Sequence, residues 1–512
     1  MKPSIELFDL IKSLSKSEKR FFKLTSALQS GDKNYLKIFD YIEKQEEYDE
    51  EHLKKTFAKE IFIKHLPSEK NHLYKLILKS LRSFTSEKSI GSILAQEIKN
   101  IEILYSKALY KECNKLIARS KLKAREHEKF YHLIELINWE KVLIDSSYEA
   151  GEFSLNIDKI IEEEAEVIEK LRNLAEYMVL DARINLIFRT GGFSRATVER
   201  AKVEEISDNH LIKGKNTALS SKAASICYYV KGLCAMANRN HSDSFTFFNR
   251  AREILDNNPK IKEAASKRYV NTLIHLMRCY IEIGDSEKAR ELIFDIRELR
   301  TTNGFKSIDI ALLIFSNSNA QELILYQSMG KFQESVDLIP EIEKQHSKLQ
   351  GKVSKEMELL LHYYKAYSYF GVSDFKQAMM SINIILNDNE QSLRQDIYSL
   401  ARLVNLIIHY ELENYDYLDY LIRSTSRYLN KHEREYKIEI LCIKFIKRLS
   451  KIQTDGDKED ILKKMKTDVI DMLEDQHENV LLEYFNITAW IDSKIKNVTL
   501  GSIISSSVKT LN

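Results

Sequence analysis

Cations at regular spacing are the residues of this sequence with the plainest chemical use. Lys111, Lys115, Arg119 and Lys123 recur every four positions, which puts them along one face of a helix. Lys121, Arg125 and Lys129 join them, and residues 70–130 hold 14 basic against 6 acidic side chains. Aligned cations neutralise phosphates and give salt-dependent affinity for nucleic acid, so those four are the candidate partner-binding residues. A solvated outer face is the competing reading. Cys113, Leu116, Ile117 and Ala124 fall on the opposite side of the same helix, where an amphipathic helix carries its apolar stripe. A third reading is intramolecular: Glu162, Glu163, Glu164, Glu166 and Glu169 form an acidic run on a later helix that could face the stripe. A second basic segment, Lys16-Ser17-Glu18-Lys19-Arg20-Phe21-Phe22-Lys23, could belong to a helix-turn-helix reader of DNA. It lacks the Gly-bearing turn, and Phe21 and Phe22 are better explained as core.

Catalytic patterns are missing. The 13 histidines include no HExxH, and His127 and His132, five apart, do not share a helical face squarely. Gly214-Lys215-Asn216-Thr217 is similar to the end of a phosphate loop, without the earlier Gly or the preceding strand. In His241-Ser242-Asp243 adjacency is no evidence of a triad, since triads assemble in space; Ser242 or Asp243 reads as a helix N-cap. The chain is therefore expected to be no enzyme and to need no cofactor or metal. Its five cysteines (Cys113, Cys227, Cys234, Cys279, Cys442) are odd in number and form no CxxC, which disfavours a disulfide framework or a zinc finger. The Asn486-Ile487-Thr488 sequon carries no meaning without secretion. Residues 1–9 hold two acids where a signal peptide needs apolar residues, and no uncharged apolar run approaches membrane-spanning length. A cytoplasmic location is expected.

The elements that must carry these residues follow from composition. In 512 residues there are only 14 Gly and 4 Pro, against average usage of about 7% and 5%. A β-sandwich or a Rossmann sheet spends both at its turns. With 30% charged and 44% hydrophobic residues, helices packed on helices are expected. The formal net charge of +2 gives no global pull toward nucleic acid or anionic lipid.

From about Ser225 one pattern recurs: a helix ends on an aromatic or apolar residue, a short polar turn follows, and a second helix opens with an aromatic and then a small residue. Tyr280-Ile281-Glu282-Ile283-Gly284-Asp285 leads to Ala289; Tyr326-Gln327-Ser328-Met329-Gly330-Lys331-Phe332 leads to Ser335; Tyr369-Phe370-Gly371-Val372-Ser373-Asp374-Phe375 leads to Ala378. An upstream copy has Gly232, Ser244, Phe248 and Ala251, and a weaker downstream one has Asn414-Tyr415 and Leu418. Gly or a short polar residue supplies the C-cap, the small residue lets the helices approach, and the aromatic fills the gap between pairs. The pattern resembles the tetratricopeptide family of helical repeats. The anchors Ser244, Ala289, Ser335, Ala378 and Leu418 are 45, 46, 43 and 40 residues apart, longer than the family period of about 34. The resemblance implies an all-α, right-handed α-solenoid of antiparallel helix hairpins with long repeats and an N-terminal helical cap. The opening and closing segments also resemble those of uncharacterised bacterial cytosolic repeat proteins, and the layout of an N-terminal helical reader before repeats is similar to bacterial peptide-sensing regulators.

The expected organisation is a helical cap over 1–90, divergent repeats over 91–206, a linker at 207–215, a solenoid over 216–450, a helix pair over 451–497 and a frayed tail over 498–512. Within the cap, helices are expected near 4–14, 17–28, 33–45, 50–60 and 68–84, with Ser30-Gly31-Asp32 as a turn, Ser15 or Ser17 and Asp49 as caps, and Pro67 opening the fifth. Leu104 to Ile117 fits one more hairpin, with Tyr110 and Cys113 at the aromatic and small positions, and Thr190-Gly191-Gly192-Phe193 marks another turn. Pro340 either ends or kinks its helix. The expected function is a protein–protein interaction scaffold binding a protein or peptide on the inner helices, with Tyr228, Tyr363, Tyr364 and Tyr367 as groove-lining or inter-repeat core residues. The alternative is a nucleic-acid-associated factor using the basic helix around residues 107–129 or the N-terminal segment.

Overall fold

The computed structural model describes residues 5–27, 34–87, 89–149, 157–191, 197–349, 351–389, 393–432, 434, 436–452, 454–475 and 477–511. Among the described residues the regular elements are helices and none is a strand. Two compact units divide at Ile168 and Glu169. The first holds α1 (Glu6–Ser13), α2 (Lys16–Ala27), α3 (Asn34–Lys44), α4 (Glu50–Thr56), α5 (Leu66–Thr85), α6 (Ile90–Ser106), α7 (Tyr110–Glu126), α8 (Phe130–Glu149) and the start of α9 (Ile157–Gly191). The second holds the rest of α9, then α10 (Thr197–Asp208), α11 (His210–Lys213), α12 (Ser221–Ala237), α13 (His241–Asp256), α14 (Pro259–Ala264), α15 (Ser266–Glu282), α16 (Ser286–Glu298), α17 (Ile308–Ser328) and α18 (Phe332–Lys348). It continues through α19 (Lys355–Gly371), α20 (Phe375–Leu386), α21 (Gln395–Glu411), α22 (Tyr415–Lys431), α23 (Lys437–Leu449), α24 (Asp455–Leu473), α25 (Ile487–Lys496) and α26 (Leu500–Leu511).

In the first unit, short polar signals set the helix ends. Ser15 and Glu18 form a capping box: the Glu18 amide donates to Ser15 Oγ at 3.3 Å and the Ser15 amide to Glu18 Oε2 at 2.8 Å. Asp49 caps α4 by accepting the His52 amide, and Pro67 sits in the first turn of α5. Ile11, Phe22, Ile38, Phe39, Ile42, Leu53, Leu73 and Ile77 form a closed core. Phe22 lies against Phe39 and Phe21 against Phe84, which spends both aromatics of the basic segment on packing. The expected turn at 30–32 lies outside the described residues.

One backbone device joins most helix pairs. Ala108, Glu128, Arg239, Gly284, Gly330, Ser373 and Glu413 all take positive φ between helices. Each is followed by a residue whose amide reaches back to the last turn of the preceding helix: Asp285 to Tyr280 O, Lys331 to Tyr326 O, Asp374 to Tyr369 O and Asn414 to His409 O, all at 2.9–3.0 Å. This closes the orphan carbonyls at the helix end. Asn240, Asp285 and Asp374 then cap the next helix through their side chains, so a three-residue turn finishes one helix and starts another. At Gly284 and Gly330 the left-handed backbone carries no steric cost; at Arg239, Ser373 and Glu413 it costs on the order of 1 kcal/mol each. Gly371 serves otherwise: it lies in α19, and a Cβ there would collide with the Phe332 ring.

In the second unit α12 packs on α13, α15 on α16, α17 on α18, α19 on α20, α21 on α22 and α23 on α24. The first helices form a row, α15 on α17, α17 on α19, α19 on α21 and α21 on α23. The small residues Ser244, Ala289, Ser335 and Ala378, with Leu418, are all buried, as close approach requires. Pro340 lies inside α18, which continues through it.

The two compact units divide within α9: Glu163 and Glu164 on α9 pair with α7 and α8 in the first unit, whereas Asn173 and Tyr177 bond to residues 211–219 in the second. α9 runs through Gly191, and 192–196 lie outside the described residues. The expected linker 207–215 is partly helical, because Asn209 caps α11 and Leu211 and Ile212 are buried. The tail expected to fray is α26, with Leu500, Ile503 and Ile504 buried and Ser505 Oγ donating to Met329 O at 2.9 Å. Ser506 and Ser507 turn their hydroxyls back to Ile503 O, which lets a Ser-rich segment stay helical.

Candidate interaction surfaces

α7 places Lys111, Lys115, Arg119 and Lys123 on its outward side, while Cys113, Ile117 and Ala124 are buried. Arg119 and Lys123 of the stripe pair with an acid from the preceding helix. Glu97 of α6, itself mostly buried, accepts from Lys123 at 2.8 Å and Ser120 at 2.6 Å, with Arg119 3.6 Å away. Burial opposes ionisation of Glu97, and Lys123 and Ser120 outweigh it, so its carboxyl lies below the usual range. Lys121 is buried between Glu140 and Glu163, and Arg125 also pairs with Glu163. Part of the acidic run on α9 does face the basic helix. Charge that meets carboxylates inside the protein has less left for phosphates. On α2, Lys23 pairs with Asp40 and Glu43, both at 2.8 Å.

The row of first helices in the second unit is met by residues 478–507 of the same chain. After α24 a 3-10 turn, Asn479–Glu483, carries Glu483 between Arg239 at the end of α12 (2.7 Å) and Arg278 of α15 (2.8 Å). Burial alone would push the Glu483 carboxyl up, but Arg278 and Arg239 hold it at about 2. Tyr484 follows, donating to Asp396 Oδ2 at 2.6 Å, while Arg394 grips the same carboxylate through both oxygens. Phe485 lies against Tyr367 and Phe370 of α19, and the Asn486 amide donates to Tyr367 Oη at 3.2 Å. Trp490, 1% exposed, donates to Glu411 Oε1 at 2.6 Å. Of the expected groove residues, Tyr363 and Tyr367 meet this segment, and the Tyr364 backbone carbonyl accepts from Gln327.

Tyr228 lies elsewhere, in an open cleft of about 1050 Å³ that also takes in Lys213, Lys215, Asn216, Lys231, Arg250 and Asn257. The loop before α12 is held from beneath. Asn173 of α9 donates to Thr217 O and accepts from the Leu219 amide, both at 3.0 Å. Tyr177 donates to Leu211 O at 3.0 Å and its hydroxyl is 2.6 Å from Thr217 Oγ1. Gly214 leaves room for Thr217 and His210 O, which a Cβ would meet at 2.5 and 2.7 Å. Gly214-Lys215-Asn216-Thr217 is therefore a fixed cationic lip preceded by a helix, not by the strand of a phosphate loop. His241-Ser242-Asp243 is also settled: Asn240 is the cap, correcting Ser242 or Asp243, and His241 Nδ1 is 2.7 Å from Glu282 Oε2.

Sequence reasoning missed Arg239, Arg278, Arg394, Asp396 and Glu483. One signal was present: Glu483 stands in the apolar run Val480-Leu481-Leu482-Glu483-Tyr484-Phe485, and an acid inside such a run must find a cation once buried. Among the described residues no helix is long and apolar enough to cross a membrane. No family model matches the chain, and no curated protein matches it.

Proposed function

We propose that the chain is a non-enzymatic interaction scaffold, a right-handed tetratricopeptide-like solenoid that binds a protein or peptide segment on its surface. The observation that carries this reading is the hold of the inner helices on residues 483–490. A carboxylate sits between two guanidinium groups, two aromatics enter an aromatic wall, and a backbone amide meets a tyrosine hydroxyl. Those are the contacts by which helical repeats read a peptide. Because the chain covers that stretch itself, the surface for a partner lies where the helices stay open, at the cleft beside Tyr228. Five buried thiols without a disulfide suit a cytoplasmic setting.

The test is co-purification of the tagged full-length chain from its native cell, with cross-linking. The expected result is a protein partner near 1:1 stoichiometry, cross-linked around residues 213–258. Recovery of nucleic acid without a protein partner would overturn the reading.

A further inference from the structure

We propose that the cleft between the 213–221 loop, α12 and α13 docks an acidic segment of a partner protein that carries an aromatic residue. The inference rests on the scaffold reading and names the partner's chemistry. Four cations line the cleft, Lys213, Lys215, Lys231 and Arg250, and no Asp or Glu is among its lining residues. Lys213 is paired with Asp208 at 2.9 Å and Arg250 with Glu253 at 2.9 Å, both acids outside the lining. Among the described residues no carboxylate pairs with Lys215 or Lys231, and Lys231 Nζ stands 5.4 Å from the centroid of the Tyr228 ring. Two cations without acid partners beside two that are shared leave a net positive cleft, which favours an anionic occupant.

Size and lining narrow the class. The volume of about 1050 Å³ lies just above the range for small-molecule sites, about 300–1,000 Å³. Tyr228, Leu219, Ala224 and Ile254 supply apolar surface, and Asn216 and Asn257 supply amides. An extended run of phosphates would call for cations in a stripe; here they line one cleft together with an aromatic, Tyr228. The same pairing already works inside this chain, where Glu483 lies between arginines and Tyr484 and Phe485 enter the neighbouring aromatics. In the cleft, Lys231 and Arg250 would take the carboxylate and Tyr228 the aromatic. The lip is held in place by Asn173 and Tyr177, so little ordering is needed on binding.

The test is fluorescence anisotropy of the full-length chain with a labelled twelve-residue peptide of glutamates flanking one phenylalanine, over a salt series. The expected result is saturable binding that weakens as salt rises. Lys231→Glu combined with Arg250→Glu should weaken it at least tenfold. Tyr228→Ala should weaken it severalfold with the salt slope unchanged. Both sets lie at partly or fully exposed positions, and thermal melting matching the parent shows that the variants fold. Equal affinity for a peptide with glutamine in place of glutamate, equal affinity in the charge-reversed variant, or tighter binding of a single-stranded oligonucleotide would each overturn the proposal. If the peptide fails while a partner still co-purifies with the charge-reversed variant, the cleft assignment falls and the scaffold stands. If the peptide binds and no partner co-purifies, the scaffold reading falls alone.

Discussion

Arg239 and Glu483 are 244 positions apart in the sequence and 2.7 Å apart in the fold. The first lies in the turn after the opening helix of a repeat-like pair and the second lies beyond the last of those pairs. Arg278 shares the same carboxylate at 2.8 Å. A buried ion group of this kind contributes modestly as a set and costs heavily when one member is removed. Glu483→Ala is therefore expected to lose about 3–5 kcal/mol, seen as a fall in Tm of roughly 5 °C. Replacing all three by apolar residues of similar volume should recover most of the loss. A melting scan of the three proteins checks it, and a single variant that melts with the parent would show the ion group to be idle.

Acid should act on both units through depressed carboxyls. Glu483 is held at about 2 and Glu50 also at about 2, the latter against its burial by Lys70, Tyr48 and Lys54. Their folded pKa values lie below the unfolded ones, so their stabilisation is complete above about pH 4.5 and is lost as pH falls through 2. Chemical denaturation at pH 5, 4 and 3 should show the parent weakening steeply and Glu483→Gln less so. Parallel curves would contradict the assignment.

A histidine titrates in a higher window. His275 stacks on Phe248, with ring centroids 5.0 Å apart, and its pKa is depressed to about 3 by burial and by Arg278. The native state keeps it neutral while the unfolded chain takes up a proton below about 6.5. Stability from this group is thus present above pH 6.5 and declines as pH falls toward 3. His275→Gln should flatten stability between pH 6.5 and 4.5, above the window in which Glu483 and Glu50 titrate. An unchanged slope there would show His275 to be solvated.

Close packing of helices should be visible at one glycine. A Cβ at Gly232 would stand 2.6 Å from the Phe248 ring, closer than packed carbons allow. Gly232→Ala is expected to cost about 1–3 kcal/mol by overpacking, despite alanine's better helix propensity. Adding Phe248→Leu should return part of it. A more stable single variant would mean that α12 and α13 have room to part.

Local features were legible in the sequence because they depend on neighbours a few residues away. Asp49, Pro67 and the Ser15–Glu18 box set helix ends in the first unit, and the small residues from Ser244 to Ala378 are buried where the pattern put them. The turn residue was only partly legible. Gly284 and Gly330 announce a left-handed backbone, whereas Arg239, Ser373 and Glu413 adopt it without any compositional sign. The path of residues 498–507 was not legible, since Ser-rich composition reads as loose chain unless its partners, Met329 and Gly330 among them, are known. The α7 stripe illustrates the same limit: spacing aligned the four cations and the acidic run offered Glu163 as a partner, as it is for Arg125, whereas only the fold brought Glu97 to that helix.

Hydrogen exchange of the full-length chain, read by mass spectrometry with and without the glutamate–phenylalanine peptide, tests the central claim most directly. Amides of residues 481–491 should exchange as slowly as those of α19 in both samples, and the peptide should slow exchange only around residues 213–258. Rapid exchange across 481–491, or slowing by the peptide at that segment in place of the cleft, would contradict a surface closed by its own chain and open to a partner beside Tyr228.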